Sequence, residues 1–159
     1  MIIRSAEPRD HHEVRALLLS AFPSPAEANL VKQLRSDGDV AIELVAERHN
    51  RIVGHLLFSR MTAPFRALAL APVAVLPDQQ GQGVGSRLIE AGHERARREG
   101  WEAIFVLGEP AYYSRLGYSV TAAASFSSPY AGTYFMMLPL SEGLPQQGEV
   151  AHARAFAAL

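Results

Sequence analysis

Three glycines at alternate positions are the first feature of this sequence that could do chemistry. Gly81, Gly83 and Gly85 follow an apolar, strand-like segment and lie directly in front of a helix-like segment, residues 86–99. A helix N-terminus presents unpaired backbone N–H groups and the positive end of the helix dipole, and it binds anions. Glycines let a phosphate approach these groups closely. The stretch favours a phosphate-binding loop, and a flexible loop with a close helix–sheet contact is the alternative interpretation.

Two common phosphate-binding motifs do not fit this loop. A P-loop ends in Gly-Lys-Ser/Thr, whereas here Gly85 is followed by Ser86 and Arg87. The dinucleotide fingerprint G-x-G-x-x-G follows the first strand of a βαβ unit, whereas these glycines lie mid-chain after a predicted hairpin. The spacing of the glycines therefore disfavours a nucleotide-dependent oxidoreductase. Tight binding of NAD without binding of CoA would support that alternative.

A third sequence pattern fits the glycine loop, and another motif of the same kind of protein lies further along the chain. The segment QGQGVG, residues 80–85, resembles the Q/R-x-x-G-x-G/A signature of the GNAT superfamily of acetyl-CoA-dependent N-acetyltransferases. The segment YYSRLGY, residues 112–118, resembles the F/Y-Y-x-K/R-x-G-F/Y segment of the same superfamily. The two motifs stand in the family's order, and the resemblance covers residues 1–140. The tail GEVAHARAF, residues 148–156, is similar to a subgroup with a final strand.

The resemblance implies an α/β (α+β) fold in a single domain, residues 1–159. Its central sheet would be mixed, mostly antiparallel, splayed between strands 4 and 5 and flanked by helices. Acetyl-CoA would be the co-substrate, with no metal. The pyrophosphate of CoA would lie on the loop amides, and the pantetheine arm would pair with the preceding strand, as an added strand does. The implied cofactor-binding residues are Val73, Ala74, Val75, Gln80, Gly81, Gln82, Gly83, Val84, Gly85 and Ser86.

The implied chemistry is direct attack of an amine on a thioester. A backbone N–H of the splayed strand would polarise the carbonyl. Tyr113 matches the position of the general acid that protonates the departing thiolate, because a tyrosine keeps its proton at neutral pH; Tyr112 is expected to pack. The identity of the general base stays open. The candidates are Glu43, Glu47 and Glu109, with His55 on the third strand as a further one.

The hydrophobic pattern predicts the elements that position these residues. Pro72 lies inside the fourth strand and predicts a bulge or a freed edge there. Strands are predicted at residues 1–5, 40–47, 51–60, 68–76, 103–107, 118–124 and 133–140, with a further one at 148–156. Helices are predicted from the entry at residues 7–10 to the proline break at 22–25, and at 26–35, 86–99 and 110–115.

Composition excludes several classes of protein. The 159 residues, 48% of them hydrophobic, suit one domain with a sizeable core. A net charge of -1 argues against broad electrostatic capture of nucleic acid. No apolar run reaches the ~18 residues of a membrane span. The absence of cysteine excludes thiolate chemistry, favours direct transfer over an acyl-enzyme and fits a reducing cytoplasm.

We expect the partner to be a small-molecule or peptide amine, with no nucleic acid or membrane, and a homodimer is compatible with the sequence. The acceptor face is expected to come from the helix pair at residues 10–36 and the loop after Tyr118. The alternative function is a non-catalytic acetyl-CoA or CoA-binding module of the same fold. Release of CoA with any amine would distinguish the two.

Overall fold

The chain folds into eight strands, three main helices and two one-turn helices, and the computed structural model describes all 159 residues. The strands are β1 (Ile2–Ser5), β2 (Val40–Arg48), β3 (Arg51–Met61), β4 (Ala67–Val75), β5 (Ala103–Leu107), β6 (Phe126–Ser127), β7 (Phe135–Pro139) and β8 (Gly148–Glu149). The helices are α1 (His11–Ala21), α2 (Ala26–Asp37), α3 (Val84–Arg98), α4 (Pro110–Tyr113) and α5 (Val120–Ala123). Short 3-10 helices lie at Pro8–Asp10, Pro77–Gln79, Ser114–Leu116 and Arg154–Ala158. None of the helices combines the length and the apolar character needed to cross a bilayer.

Six strands form one sheet in the order β1-β2-β3-β4-β5-β7. All neighbouring pairs are antiparallel except β4 and β5, which run parallel. β2 and β3 form the central hairpin, closed at His49 and Asn50, which both have positive φ angles, as a tight hairpin turn requires. The parallel pair needs a crossover connection, which α3 provides. This mixed, mostly antiparallel sheet confirms the predicted fold class.

Helices cover both faces of the sheet. Leu88 of α3 is fully buried in one core cluster with Phe58 of β3. Leu17 of α1 is buried in a second cluster on the opposite face, which α1 and α2 cover. Side chains alternate along a strand, so β2 sends Leu44 to the α3 face and Val45 to the α1–α2 face. Both faces of the central strands are thus removed from water, and this burial of apolar surface is the main source of stability.

β4 carries a β-bulge at Pro72. Between the pairs Leu56–Val73 and Phe58–Leu70, β4 has two residues where β3 has one. Proline has no N–H to donate to a ladder, so it suits a bulge. The bulge predicted from the sequence is confirmed.

The strand predicted at residues 118–124 is wrong. Val120–Ala123 forms the one-turn helix α5, and only Ser119 bridges to Met137 of β7. Ser119 Oγ accepts a hydrogen bond of 3.1 Å from the backbone N–H of Ala122. A serine N-cap therefore outweighs the strand propensity of the segment.

The strand predicted at residues 148–156 is present only in part. β8 pairs in parallel with β6, a short strand that the hydrophobic pattern does not predict. The chain then bridges Ala151 to Thr62 and turns into the 3-10 helix Arg154–Ala158. That helix buries Phe156 in the cluster beneath α1 and α2, so packing against distant helices decides its conformation.

Candidate active site

The sheet opens between β4 and β5. The two strands pair only from Ala67 with Ala103 to Leu70 with Val106. Beyond Leu70, β4 continues to Val75 with β3 as its only neighbour. The second half of β4 therefore has a free backbone edge, in agreement with the splay predicted between strands 4 and 5.

The free edge presents backbone groups of Val73 and Val75. Leu76 donates its N–H to a β3 carbonyl at 2.9 Å, so Ala74 also faces β3 and the alternate residues face the opening. The side chain of Gln80 donates to the Val75 carbonyl at 3.1 Å, which agrees with that direction. Of the three strand residues predicted to bind a ligand, two therefore offer backbone groups to an extended partner.

The glycine loop joins β4 to α3 and contains two left-handed residues. Gly81 and Gly83 have φ angles of +76° and +82°, a conformation that residues with side chains rarely adopt. α3 begins at Val84, two residues before the predicted start, and no side chain caps it. The N–H groups of Val84, Gly85 and Ser86 therefore have no partner within the helix. The loop has the free amides that an anion site needs.

Arg48, at the end of β2, is a residue of this region that sequence reasoning missed. Its guanidinium donates to Gln79 Oε1 at 2.7 Å and to Gln82 Oε1 at 3.1 Å. These partners lie 31 and 34 residues further along the chain, so no local motif identifies the contact. A fixed positive charge beside free amides strengthens an anion site.

The two tyrosines of YYSRLGY have different environments. Tyr112 shares a hydrogen bond of 2.9 Å with Ser86 in the first turn of α3, a contact that the predicted packing role does not include. Tyr113 is half-buried and lines a cavity at the open edge of the sheet. Burial raises the pKa of Tyr113 to about 12, so its hydroxyl stays protonated at neutral pH and can donate a proton.

Gly108, directly after β5, lets the ring of Tyr113 lie against the backbone. A Cβ at this position would overlap Cε2 of Tyr113 and lie 2.8 Å from its Cδ2, so only glycine leaves room for the ring. Sequence reasoning missed this role, because a glycine after a strand indicates a turn before it indicates a contact.

The cavity around Tyr113 has a volume of about 340 Å³. Its walls are the free edge of β4, the end of β5, the α1–α2 segment, the loop between β6 and β7 and the C-terminal segment. The helix pair was expected there. The loop expected directly after Tyr118 contributes no residue, because Tyr130 lies beyond α5 and β6, and the C-terminal segment was not expected. Most lining side chains are apolar, and Glu27 and His152 stand out among them. Glu27 Oε1 and His152 Nδ1 are buried without a hydrogen-bond partner.

Glu43 and His55, two of the predicted bases, form a buried group with Arg35 away from this cavity. His55 Nε2 lies 2.8 Å from Glu43 Oε2, and Arg35 donates to both carboxylate oxygens. Burial opposes the ionisation of Glu43, but the hydrogen bonds from His55 and Arg35 outweigh it and lower its pKa to about 2. Burial lowers the pKa of His55, so a neutral imidazole donates Nε2–H to the carboxylate. The group ties α2 to the sheet.

The other two predicted bases also lie outside the cavity wall. Glu47 accepts from Arg4 at 3.2 Å, between β1 and β2. Glu109 is exposed directly before α4, four residues from Tyr113, and its carboxylate forms no ion pair. No group of three or more potential metal-binding side chains is present. The structure therefore brings together Tyr113, the β4 edge and the glycine loop, but not the predicted bases.

A second cavity, of about 530 Å³, lies between α1 and α2. Basic side chains line it, among them Arg15 and Lys32, and neither Tyr113 nor any residue of β4 or the glycine loop contributes. It is separate from the opening in the sheet.

Comparison with known proteins agrees with this arrangement. A family model described as an acetyltransferase (GNAT) domain matches residues 40–120, which include the hairpin, the glycine loop and YYSRLGY. The chain is 38% identical over 130 residues to an uncharacterized N-acetyltransferase, YjhQ, of Escherichia coli strain K12, an alignment that covers 76% of this chain and 71% of YjhQ.

Two crystal structures are similar over nearly the whole chain. One is the GNAT family N-acetyltransferase YhbS from Escherichia coli in complex with CoA, with a TM-score of 0.91 and 31% identity, covering 98% of this chain and 91% of that one. The other is a GNAT family acetyltransferase from Brucella melitensis in complex with acetyl-CoA, with a TM-score of 0.82 and 30% identity, covering 98% and 97%. With its two motifs, its open sheet and these relatives, the chain belongs to the GNAT superfamily of N-acetyltransferases.

Proposed function

We propose that this protein transfers the acetyl group of acetyl-CoA to a primary amine by direct attack in a ternary complex. The observation that carries the proposal is the position of Tyr113, in a cavity at the free edge of β4. A proton donor, an open strand edge and an anion site follow one another along this opening. They match the sulfur, the pantetheine arm and the phosphates of acetyl-CoA.

The proposed cofactor site runs from the glycine loop along β4. The amides at residues 80–86 bind the pyrophosphate, and Arg48 adds a positive charge beside them. The backbone groups of Val73 and Val75 pair with the pantetheine amides as a neighbouring strand would, while Ala74 stays paired with β3. The complexes of the two relatives with CoA and acetyl-CoA support this placement.

The proposed reaction needs one general acid, Tyr113. The neutral amine nitrogen forms a bond to the thioester carbonyl carbon, while the free N–H of Val73 stabilises the developing oxyanion. The C–S bond then breaks, and Tyr113 gives its proton to the thiolate. The proton lost by the amine returns to the tyrosinate, directly or by exchange with solvent, so that Tyr113 is protonated again for the next turnover. The products are an N-acetyl amide and free CoA.

Among the predicted bases, we retain Glu109, acting through water. Its carboxylate has no ion pair, and it lies next to α4, which carries Tyr113. Glu43 and Glu47 are held by arginines, and a carboxylate already paired with a guanidinium is a weak proton acceptor.

The alternative, a module that binds CoA without turnover, shares every cofactor contact. Only Tyr113 and the cavity beside it separate the two functions, because a binding module needs no proton donor at the sulfur. A substitution at Tyr113 therefore tests catalysis directly.

Tyr113→Phe keeps the ring and removes only the hydroxyl. We expect unchanged acetyl-CoA binding and a kcat lowered by about 10²–10⁴-fold, the usual contribution of a general acid. The readout is release of the CoA thiol with a panel of amines. The matched control is Tyr134→Phe, since Tyr134 is 54% exposed and outside the cavity. Tyr112→Phe is not a neutral control, because it removes the hydrogen bond to Ser86.

Equal kcat values for Tyr113→Phe and the wild type would remove Tyr113 from the chemistry. Absence of thiol release by the wild type with every class of amine would favour the binding module.

A further inference from the structure

The charges that line the cavity around Tyr113 are few. Glu27 is the only acidic side chain of its wall, and no lysine or arginine contributes. Burial raises the pKa of Tyr113 to about 12 and lowers the pKa of His152 to about 4, so both side chains are neutral near pH 7. The side chains that line the cavity therefore include one carboxylate and no cation, in an apolar surround.

The carboxylate of Glu27 has no ion-pair partner within the chain. Glu27 lies in the first turn of α2, where the helix dipole favours an acid. Its Oε1 is nevertheless buried and accepts no hydrogen bond. Glu27 as a whole is half-buried, lines the cavity and forms no ion pair. A carboxylate without a donor in an apolar surround is stabilised by a cation that binds beside it, so the position favours a positively charged group from outside the chain.

The other side chains of the cavity wall form an apolar surface that fits an aromatic ring. His152 lies between Tyr130 and Phe156, each with its ring centroid 4.9 Å away in an edge-to-face arrangement. Phe22 and Leu30 complete the apolar wall. The volume of about 340 Å³ is at the lower end of the range of ~300–1,000 Å³ for small-molecule sites. The acetyl group of the thioester also has to fit within it.

We propose that the acceptor is a small monoamine, whose ammonium group pairs with Glu27 and whose apolar body, about the size of one aromatic ring, fills the cavity. This inference rests on the proposed function and names its substrate class. An alkylamine is protonated near pH 7, as lysine is, so it arrives as the cation that Glu27 lacks. It loses this proton to solvent before its nitrogen attacks the thioester, and Glu27 holds the ammonium form in the cavity until then.

Other classes of amine fit the same wall poorly. A polyamine or an aminoglycoside carries several positive charges, and all but one would lie against apolar side chains without a counter-ion. A peptide needs backbone hydrogen bonds along an extended groove, which the cavity wall of mostly apolar side chains does not supply.

The test combines turnover and binding. Release of the CoA thiol is measured with 2-phenylethylamine, spermidine, kanamycin and a peptide that begins with alanine. We expect kcat/KM for 2-phenylethylamine to exceed each of the others at least tenfold. Glu27→Gln should raise its KM at least tenfold and leave the KM for acetyl-CoA unchanged. Glu94→Gln, on the exposed face of α3, is the matched control and should behave as the wild type.

Calorimetric binding of 2-phenylethylamine to the CoA-bound protein separates this inference from the proposed function. We expect binding that Glu27→Gln weakens at least tenfold, whether or not turnover occurs. Preferred turnover of spermidine, kanamycin or the peptide would overturn the inference and leave acetyl transfer intact. A Glu27→Gln variant with unchanged binding of 2-phenylethylamine would also overturn it. Binding that depends on Glu27, with no amine acetylated, would contradict the proposed function alone.

Discussion

Gly85 is the glycine of the loop at which phosphate binding can be tested apart from backbone conformation. Gly81 and Gly83 have positive φ angles, so any side chain there strains the loop with or without a ligand. The φ angle of Gly85 is not positive. A Cβ added at this position would lie 3.4 Å from Tyr112 Oη and 3.7 Å from Val75 Cγ2. These are ordinary van der Waals distances.

Gly85→Ala should fold and bind CoA as the wild type does, because the signature Q/R-x-x-G-x-G/A admits alanine at this position. Gly85→Val should bind CoA more weakly, since its branched side chain is expected to hinder the approach of the pyrophosphate to the free amides in the first turn of α3. The dissociation constant of CoA for Gly85→Val should rise about tenfold or more. Calorimetry with CoA measures it. An unchanged dissociation constant for Gly85→Val would place the phosphates elsewhere.

Gly108 controls the position of the Tyr113 ring. In Gly108→Ala the new Cβ would lie 2.8 Å from Cδ2 of Tyr113 and overlap the neighbouring ring carbon, so the ring has to move. We expect kcat to fall by more than tenfold, because a displacement near 1 Å in an active site can cost ~10²-fold. CoA binding should stay the same, since Gly108 belongs neither to the glycine loop nor to β4. A kcat equal to that of the wild type would show that the position of the ring is unimportant.

The sequence predicts part of this site and not the rest, for physical reasons. Tyr113 and the glycine loop lie in contiguous motifs, so their proposed roles can be inferred from short segments. Glu27 and His152 line one cavity from opposite ends of the chain, and only the tertiary fold brings them there. Glu43 has the right residue type for a base, but its pairing with Arg35 becomes visible only in the structure.

Among the elements, α3 sets the position of the proposed anion site, and its packing on β3 depends on Gly54. A Cβ at Gly54 would lie 2.7 Å from Leu88 Cδ1 and 2.9 Å from Cγ1 of Val84, the first residue of α3. Helix and strand approach each other here as closely as a glycine allows. A larger residue would have to displace these two side chains, and we expect the first turn of α3 to move with them.

Gly54→Ala should lower both stability and CoA affinity. Overpacking of a core costs about 1–3 kcal/mol, which urea denaturation measures. Since the displaced turn carries the free amides, CoA binding should also weaken. Val14→Ala is the matched control, because Val14 belongs to α1 and is fully buried on the other face of the sheet. This variant should lose stability and keep its CoA affinity. Normal CoA binding by Gly54→Ala would show that the site tolerates movement of α3.

The strands and helices themselves differ in how well a local pattern predicts them. The β2–β3 hairpin and β5 are found at nearly their predicted positions, because long apolar runs and turn residues mark them. The segments at 118–124 and 148–156 are apolar enough for strands, yet a Ser119 cap and the burial of Phe156 make parts of both helical. Local propensity decides little where a cap or a distant contact is stronger.

For the molecule as a whole, Glu43 predicts how stability depends on pH. Its pKa is lowered from 4.5 to about 2 in the folded protein. A lowered pKa stabilises the folded state above the unfolded value, and this stabilisation is lost as pH falls through about 4.5 towards 2. The shift corresponds to about 3 kcal/mol.

Glu43→Gln should therefore be less stable than the wild type at pH 7 and lose less stability between pH 5 and 3. Other carboxylates contribute equally to both proteins, so the difference between their denaturation curves isolates Glu43. Parallel loss of stability in the two proteins over this range would show that Glu43 is not held as an ion in the folded state.

The central claim is that the acetyl group passes directly from acetyl-CoA to an amine bound beside Tyr113. The most direct measurement uses acetyl-CoA labelled in its acetyl group, with product amide, free CoA and protein-bound label followed together by mass spectrometry. With a good acceptor, labelled amide and CoA should appear in equal amounts. Without acceptor the protein should stay unlabelled, because the chain has no cysteine to carry an acyl group. Stoichiometric label on the protein, or CoA released without a labelled amide from any class of amine, would contradict the account.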